Sequence, residues 1–200
     1  MEASFFTRHP AMPDAVSFVV FVGLVLIGTL LINSFIFRSF NVVGPSMQPT
    51  MHTGDRLIVN RMPVTLSQLQ NKSYVPDRGQ VIVFENPQFV EGSRDEFIVK
   101  RVIAFPGERV TVMNGVLTVY NDENPDGFEP DKADTRGTPK SPTSGDVDTV
   151  VADETLFVAG DNREGGFSCD SRGCMGTIPY FDVIGPVGLR LWPIPDIKLF

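Results

Sequence analysis

Three segments of this 200-residue chain hold residue types that nucleophilic catalysis needs. Ser46 lies in Gly44-Pro45-Ser46-Met47-Gln48-Pro49-Thr50. Pro45 and Pro49 fix φ on both sides and restrict the residues before them. A serine held in that way presents its hydroxyl in one geometry, as a nucleophile must. Most serines in Pro/Gly-rich loops are only turn formers, so Ser46 needs a base to be read as more. Lys100 lies in the run Phe97–Ala104, where alternation puts it on the face of Ile98, Val102 and Ala104. Val99, Arg101 and Ile103 take the other face. An ammonium among apolar neighbours loses hydration, which lowers its pKa, and a neutral amine can take a serine proton and pass it to a leaving amine. The strand pattern alone favours the opposite reading, a lysine extending to solvent beside Arg101. The third segment runs from Gly160-Asp161-Asn162-Arg163 through Ser168-Cys169-Asp170-Ser171-Arg172-Gly173. Its hydroxyls could orient an amine and its Asp–Arg pairs could fix its shape, or it could be a solvated turn. The histidines offer a rival base. His9 precedes a long apolar run; His52 is near Ser46, but no aspartate stands in a recognisable supporting motif for a Ser-His-Asp triad.

The elements that must position these residues begin with Ala15–Phe37, 23 residues without a charge. As a helix this run is roughly 34 Å long, enough to cross a hydrocarbon core of about 30 Å. It is too long for the core of a cleaved secretory signal and lacks an A-x-A pattern after it. Ser17, Thr29, Asn33 and Ser34 make no polar stripe, which argues against a buried core helix. A retained transmembrane helix is expected. Arg8 and His9 before it and Arg38 after it nearly balance, so charge leaves the orientation open. Residues 39–200 hold 15 of the 17 basic and 22 of the 24 acidic residues, a formal charge of −7. Such an acidic domain argues against nucleic acid as the partner. Cys169 and Cys174 lack the neighbouring histidines of a zinc site and are either a local disulfide or two buried thiols.

Beyond the span, Arg56–Asn60, Gln80–Phe84, Phe97–Ala104, Arg109–Met113, Val116–Tyr120 and Glu154–Ala159 read as strands rich in Val and Ile. Asn114-Gly115 is a hairpin signal, because a type I′ turn needs positive φ twice. Val64–Asn71 is the one weak helix candidate. The expected architecture is therefore mostly β: a tail over 1–14, a transmembrane anchor over 15–37 and an all-β domain over 38–200. Asn121–Asp148 has no apolar period and reads as a variable insertion, about 121–150. Asp122-x-Asn124-x-Asp126-Gly127 matches half of a calcium loop, but the twelfth position is Ala133 and a polar turn is the better reading.

In this order, the three segments resemble type I signal peptidases. The family's S-M-x-P-T is Ser46-Met47-Gln48-Pro49-Thr50; its K-R-V-x-x-x-P-G is Lys100-Arg101-Val102-Ile103-Ala104-Phe105-Pro106-Gly107. Its G-D-N…S-x-D-S-R is Gly160-Asp161-Asn162 followed by Ser168-Cys169-Asp170-Ser171-Arg172. Gly176-Thr177-Ile178-Pro179 and Ile184-Gly185 are similar to its closing strands. The resemblance reaches across most of 15–192 and leaves out 121–148.

That resemblance implies a β-rich peptidase in the cell membrane, single-pass, with a cytosolic N-terminal tail and an extracytoplasmic catalytic domain. It implies Ser46 as nucleophile, Lys100 as general base, Ser168 orienting the lysine amine, and Asp170 and Arg172 supporting that loop. Its substrates would be preprotein signal peptides, cut after small residues. Its surroundings would be the lipid bilayer and the protein-export translocon; no cofactor or metal is implied. By nearness in the motifs, Phe40, Val42, Met47, Met51, Ile98 and Val99 are the candidates for shallow substrate pockets. Two departures stand out. Gly44 occupies a place where some members carry a serine hydroxyl for the oxyanion hole, and the stretch from Asn162 to Ser168 is about two residues longer than the family pattern. Leu189–Phe200, with Trp192, is expected near the membrane interface. The rivals are a Ser-Lys peptidase with one dedicated client, a membrane-tethered binding domain, and a cytosolic self-cleaving repressor-type protein, which the apolar span argues against.

Overall fold

The computed structural model describes residues 12–92, 95–133, 139–165 and 168–200. Arg8, His9 and the tail up to residue 11 lie outside them, as do parts of the insertion (134–138) and of the third segment (166–167). Helix α1 (Met12–Phe35) carries the apolar run. Its stretch Asp14–Phe35 has a mean hydropathy of 2.8 and none of it is buried. No polar side chain interrupts it strongly enough to break the helix, and no part of the β domain covers it. It ends two residues before the expected boundary, because Phe37 already belongs to strand β1 (Phe37–Asn41). The junction is tied: the Arg61 N–H donates to the Ile36 carbonyl at 2.7 Å, and the Thr65 hydroxyl to the Phe35 carbonyl at 2.9 Å.

The remaining strands are β2 (Arg56–Asn60), β3 (Val81–Glu85), β4 (Phe97–Ala104), β5 (Arg109–Met113) and β6 (Val116–Tyr120). They continue with β7 (Val147–Val150), β8 (Thr155–Ala159), β9 (Ile178–Pro179), β10 (Val183–Trp192) and β11 (Lys198–Leu199). Helix α2 (Met62–Leu69) replaces the weak candidate at Val64–Asn71, and α3 (Pro130–Ala133) is a single turn. The main sheet runs β1-β2-β10-β3-β4-β8-β9, with β11 on β10; a second sheet runs β6-β5-β7. The hairpin β5–β6 turns at Asn114 and Gly115, both at positive φ (53° and 81°), as the Asn-Gly pair requires.

β10 is the long strand that the alternation of the sequence did not reveal. It pairs with β2 through its second half and with β3 through its first, with register shifts on both sides. Those irregularities break the period of two on which strand reading depends. β4 likewise shifts register between Val102 and Ala104. Val102 therefore packs with Ile82, Phe84 and Val158, while Ala104 packs with Ile103, Val110 and Phe157. Ala104 is thus not on the Lys100 face.

The region 121–148 is built into the domain at several points. Phe128 forms a bridge with Val119, Val147–Val150 is the third strand of the small sheet, and Asp131 pairs with Arg163. The would-be calcium segment is a polar turn in which the Asn121 side chain accepts from the Asn124 N–H at 2.8 Å. Among the described residues no group of carboxylates, histidines and cysteines could hold a metal ion. Arg163 is 1% exposed, and its guanidinium makes a two-pronged contact with Asp131 at 2.7 and 2.6 Å. A buried guanidinium that loses its carboxylate keeps its desolvation cost without the compensating attraction. Asp131→Ala should therefore lower stability by about 3 kcal/mol in urea unfolding; an unchanged midpoint would show that water compensates Arg163 fully.

Candidate active site

The loop after β1 carries Ser46, and two methionines pin it. Met47 and Met51 are one turn apart, the Met51 N–H donates to the Met47 carbonyl at 2.9 Å, and both side chains are 0% exposed. They pack with Val42, Leu57, Val59, Val83 and Val187 under the loop. The expectation that Met47 and Met51 line a substrate pocket is therefore corrected: their flexible side chains fill the core and anchor the loop. Ser46, next in the chain to Met47, is left half-exposed. Its carbonyl accepts from the Asn162 N–H at 3.0 Å, and the Pro45 carbonyl accepts from the Asn162 side-chain amide at 3.2 Å. Asn162 thus holds the loop from the far end of the sequence.

Lys100 comes to Ser46 from β4. Its amine donates to Ser46 Oγ at 2.7 Å, although 54 residues separate them. The lysine is 3% exposed, so the reading of it as a solvent-directed side chain does not hold. Burial is the largest influence on its amine and lowers the pKa; Asp170 raises it, Arg172 lowers it, and Asp161 and Asp95 raise it. The outcome is a pKa lowered from 10.5 to about 8. An amine with that affinity is neutral in a useful fraction of molecules near neutral pH and can accept a proton from the hydroxyl it touches. His52 is exposed; its backbone N–H donates to the Asp55 carboxylate at 2.9 Å and its carbonyl accepts from the Asp55 N–H at 3.1 Å. Among the described residues its ring makes no hydrogen bond to Ser46, so the Ser-His-Asp alternative has no geometry behind it.

Behind Lys100 the third segment forms a polar scaffold. Arg101 is buried and forked onto Asp161 at 2.7 and 2.6 Å, with a further bond to the Gly79 carbonyl at 2.6 Å. Asp170 accepts from the Gly160 N–H at 2.9 Å and from Arg172 at 2.9 and 2.8 Å. Burial alone would raise the Asp170 carboxyl; the bonds from Arg172, its charge, the Gly160 N–H and the Ser168 hydroxyl outweigh that and hold it below its ordinary value. Ser168 turns its hydroxyl to Asp170 at 2.5 Å. Among the described residues the Lys100 amine has one hydrogen-bond partner, Ser46, so the expected direct Ser168–Lys100 bond is absent. Ser168 stands close by all the same. A Cβ on Gly160 would collide with both the Ser46 carbonyl and the Ser168 hydroxyl, so this position has no room for a side chain. Cys169 and Cys174 are joined as a disulfide, which closes the loop beside Asp170.

A cleft of about 530 Å³ opens at Ser46. Phe40, Val42, Ile98 and Val99 line it as expected from the motifs, joined by Phe97, Leu57 and Val83. Phe97 and Phe40 pair at 5.3 Å between ring centroids. Sequence reasoning gave Asp161 and Arg163 only a general part in the Asp–Arg pairs of the loop and assigned no individual role to Asn162 or Gly160. All four lie in the quoted third segment, but nothing in a linear pattern says which backbone they face.

A serine hydroxyl bonded to a desolvated amine at the mouth of an apolar cleft, in a mostly β domain, is the chemistry of a serine hydrolase. The chain belongs to the family described as signal peptidase, peptidase S26, whose model matches residues 15–192. It is 28% identical over 176 residues to signal peptidase I of Leptolyngbya laminosa, covering 86% of this chain and 77% of that one. It is 25% identical over 194 residues to signal peptidase IB of Staphylococcus aureus, covering 92% and 93%. Among solved structures, a signal peptidase I from Enterococcus faecalis matches with a TM-score of 0.41 and 25% identity, covering 56% of this chain and 96% of that one. The protein is thus a serine peptidase of the signal peptidase family, and that family acts on preproteins that carry signal peptides.

The lowered lysine pKa has a stability counterpart. The folded value of about 8 lies below the ordinary 10.5, so a charged Lys100 costs stability below about pH 8, and the cost vanishes above 10.5. Lys100→Met should unfold at higher urea than wild type at about pH 6, by roughly 1–3 kcal/mol, with the difference shrinking toward about pH 10. A methionine variant less stable than wild type at the lower pH would mean that the Ser46 bond outweighs the burial.

Proposed function

We propose that this chain is a membrane-anchored endopeptidase that removes signal peptides after small residues, with Ser46 as nucleophile and Lys100 as general base. The 2.7 Å bond from the buried Lys100 amine to Ser46 Oγ carries this reading. Neutral Lys100 takes the Ser46 proton as Oγ attacks the scissile carbonyl. The protonated amine then gives that proton to the leaving nitrogen of the mature protein. Water, activated by the again neutral Lys100, releases the signal peptide from the acyl-enzyme. With Gly44 in place of a hydroxyl-bearing residue, the oxyanion rests on the backbone N–H of Ser46. Asp170, Arg172 and Ser168 act as supports: they fix the loop that packs against Ser46 through Gly160 and Asn162.

Specificity for small residues is supported by the cleft. Phe40, Val42, Ile98 and Val99 make apolar walls within reach of Ser46, and such walls exclude large side chains by clash. An extended peptide fits between the segment 40–44 and β4, adding as a strand.

Helix α1 is read as the anchor, with residues 38–200 as the catalytic domain on the extracytoplasmic side and the translocon as the source of substrate. Support for a surface position also comes from the far end of the chain. Leu191, Trp192, Ile194 and Ile197 are exposed together and flank an apolar hollow with Arg56 and Asn41. A contiguous apolar patch of this kind marks a membrane or partner face.

Two measurements test this reading. Wild type should cleave a preprotein in detergent after a small residue, and Ser46→Ala or Lys100→Ala should abolish cleavage. The rate should rise with pH through about 8, because the amine must be neutral to act as base. Activity that survives both substitutions, or that titrates near pH ~6.5 as a histidine would, overturns the assignment. Trp192 is the one tryptophan of the chain, so its fluorescence reports its own depth. In vesicles it should be quenched by bromine-labelled lipids; emission equal to that in unlabelled vesicles would place this edge away from the bilayer.

A further inference from the structure

Where α1 meets the β domain, two arginines come together away from the Ser46 hydroxyl. Arg38 on β1 lies opposite Val59 of β2. Arg61 follows the end of β2 and caps α2, and its N–H holds the Ile36 carbonyl beside Arg38. With Asn33 and Ser34 from the last turn of α1, and Ser39, the two arginines line a pocket of about 350 Å³.

The charges of this pocket are unbalanced. Arg78, Arg101, Arg109, Arg163, Arg172 and Arg190 are each paired with a carboxylate. Neither Arg38 nor Arg61 has such a pair among the described residues. Arg38 lays the face of its guanidinium over Phe40 and Phe97, at 5.1 and 4.4 Å from the ring centroids. That stacking uses the π face, and the N–H groups of the edge remain donors. Arg61 Nε is buried without a hydrogen-bond partner. Burial and the charge of Arg38 lower the Arg61 pKa from its ordinary value, while Glu85 acts the other way. A buried, unpaired donor beside a second cation is a costly arrangement that an anion would relieve.

Its position selects the anion. The apolar helix ends at Phe35, and Arg61 is bonded to the next residue's carbonyl. The pocket therefore lies at the depth where a spanning helix leaves hydrocarbon for headgroups. Arginine forks match phosphate oxygens in two-pronged geometry, and the side chains of Asn33, Ser34 and Ser39 add neutral polar groups.

We propose that Arg38 and Arg61, with Asn33, Ser34 and Ser39, bind the phosphate of a lipid headgroup. Because Arg38 also stacks on Phe40 and Phe97 of the cleft wall, the bound phosphate sets the height of the cleft over the bilayer. This rests on reading α1 as a membrane anchor.

The test is native mass spectrometry of the full chain in detergent, titrated with phosphatidylglycerol. Arg38→Gln and Arg61→Gln should each weaken retention about tenfold, the loss of a charge-assisted contact. Lys72→Gln, which removes an exposed charge elsewhere, should leave it unchanged. Retention by both arginine variants equal to wild type overturns the proposal. Displacement by an equal concentration of inorganic phosphate would assign the pocket to a free anion and overturn the lipid source. Oleate held as firmly, with the same sensitivity to both variants, would reduce it to charge alone and overturn phosphate recognition. Arg38→Gln leaves the buried Nε untouched, so it decides the matter should Arg61→Gln fail to fold. Insertion of each variant into vesicles is scored separately, so loss of the anchor and loss of the lipid site read differently.

Discussion

The structure turns on keeping one amine out of water while holding it against one hydroxyl. Lys100 is buried in the middle of a sheet, where an ammonium is poorly tolerated, and its nearest hydrogen-bond partner is Ser46. Each requirement conflicts with stability. Removing water makes the amine a usable base and makes the folded state carry a desolvation cost. The surrounding architecture resolves the conflict by fixing everything near the amine with bonds that do not consume it. Arg101 is saturated by Asp161 and the Gly79 carbonyl, and Asp170 by Arg172, Ser168 and the Gly160 N–H. Among the described residues no carboxylate forms an ion pair with the lysine, which would have raised its pKa.

That arrangement explains why three distant stretches of chain are needed. The Ser46 loop has no regular structure to define its path; two buried methionines below and Asn162 above define it instead. β4 supplies the lysine from a strand, the stiffest available support. The loop from Gly160 to Arg172 closes over both, shaped by its own Asp–Arg contact and by a disulfide. Arg163 extends the scaffold outward: its Nε donates to the Gly160 carbonyl at 2.7 Å while its other nitrogens reach Asp131. The insertion is therefore continuous with the site through one buried guanidinium.

The same economy governs the strands that follow the apolar helix. The apolar helix and the stacked Arg38 meet at the start of β1, while the exposed apolar edge around Trp192 lies beside Arg56 and Asn41, at the other end of the same strand pair. The cleft is walled in part by β1 and β4, and β1 is also the strand that follows the apolar helix.

Some of this was decided by the sequence alone. Twenty-three residues without a charge or a polar stripe pointed to a long exposed helix rather than a buried one. Val- and Ile-rich runs with regular alternation became β2, β3, β4, β5, β6 and β8 at nearly their expected limits, and Asn114-Gly115 became the turn between two of them. The spaced motifs around Ser46, Lys100 and Gly160 named the family. Tertiary structure decided the rest. Whether Lys100 is buried or solvated depends on what covers both faces of β4, and its own strand pattern pointed the wrong way. Met47 and Met51 looked like substrate contacts because they flank the nucleophile; only the sheet beneath shows that they face inward. β7 and the long bulged β10 escaped the pattern because one is polar and the other changes partner midway. Asn162 and Gly160 matter through the backbone they approach from 114 or more residues away in the chain. Local sequence encodes propensity and period, but burial, pKa and contact are properties of the neighbours that folding brings.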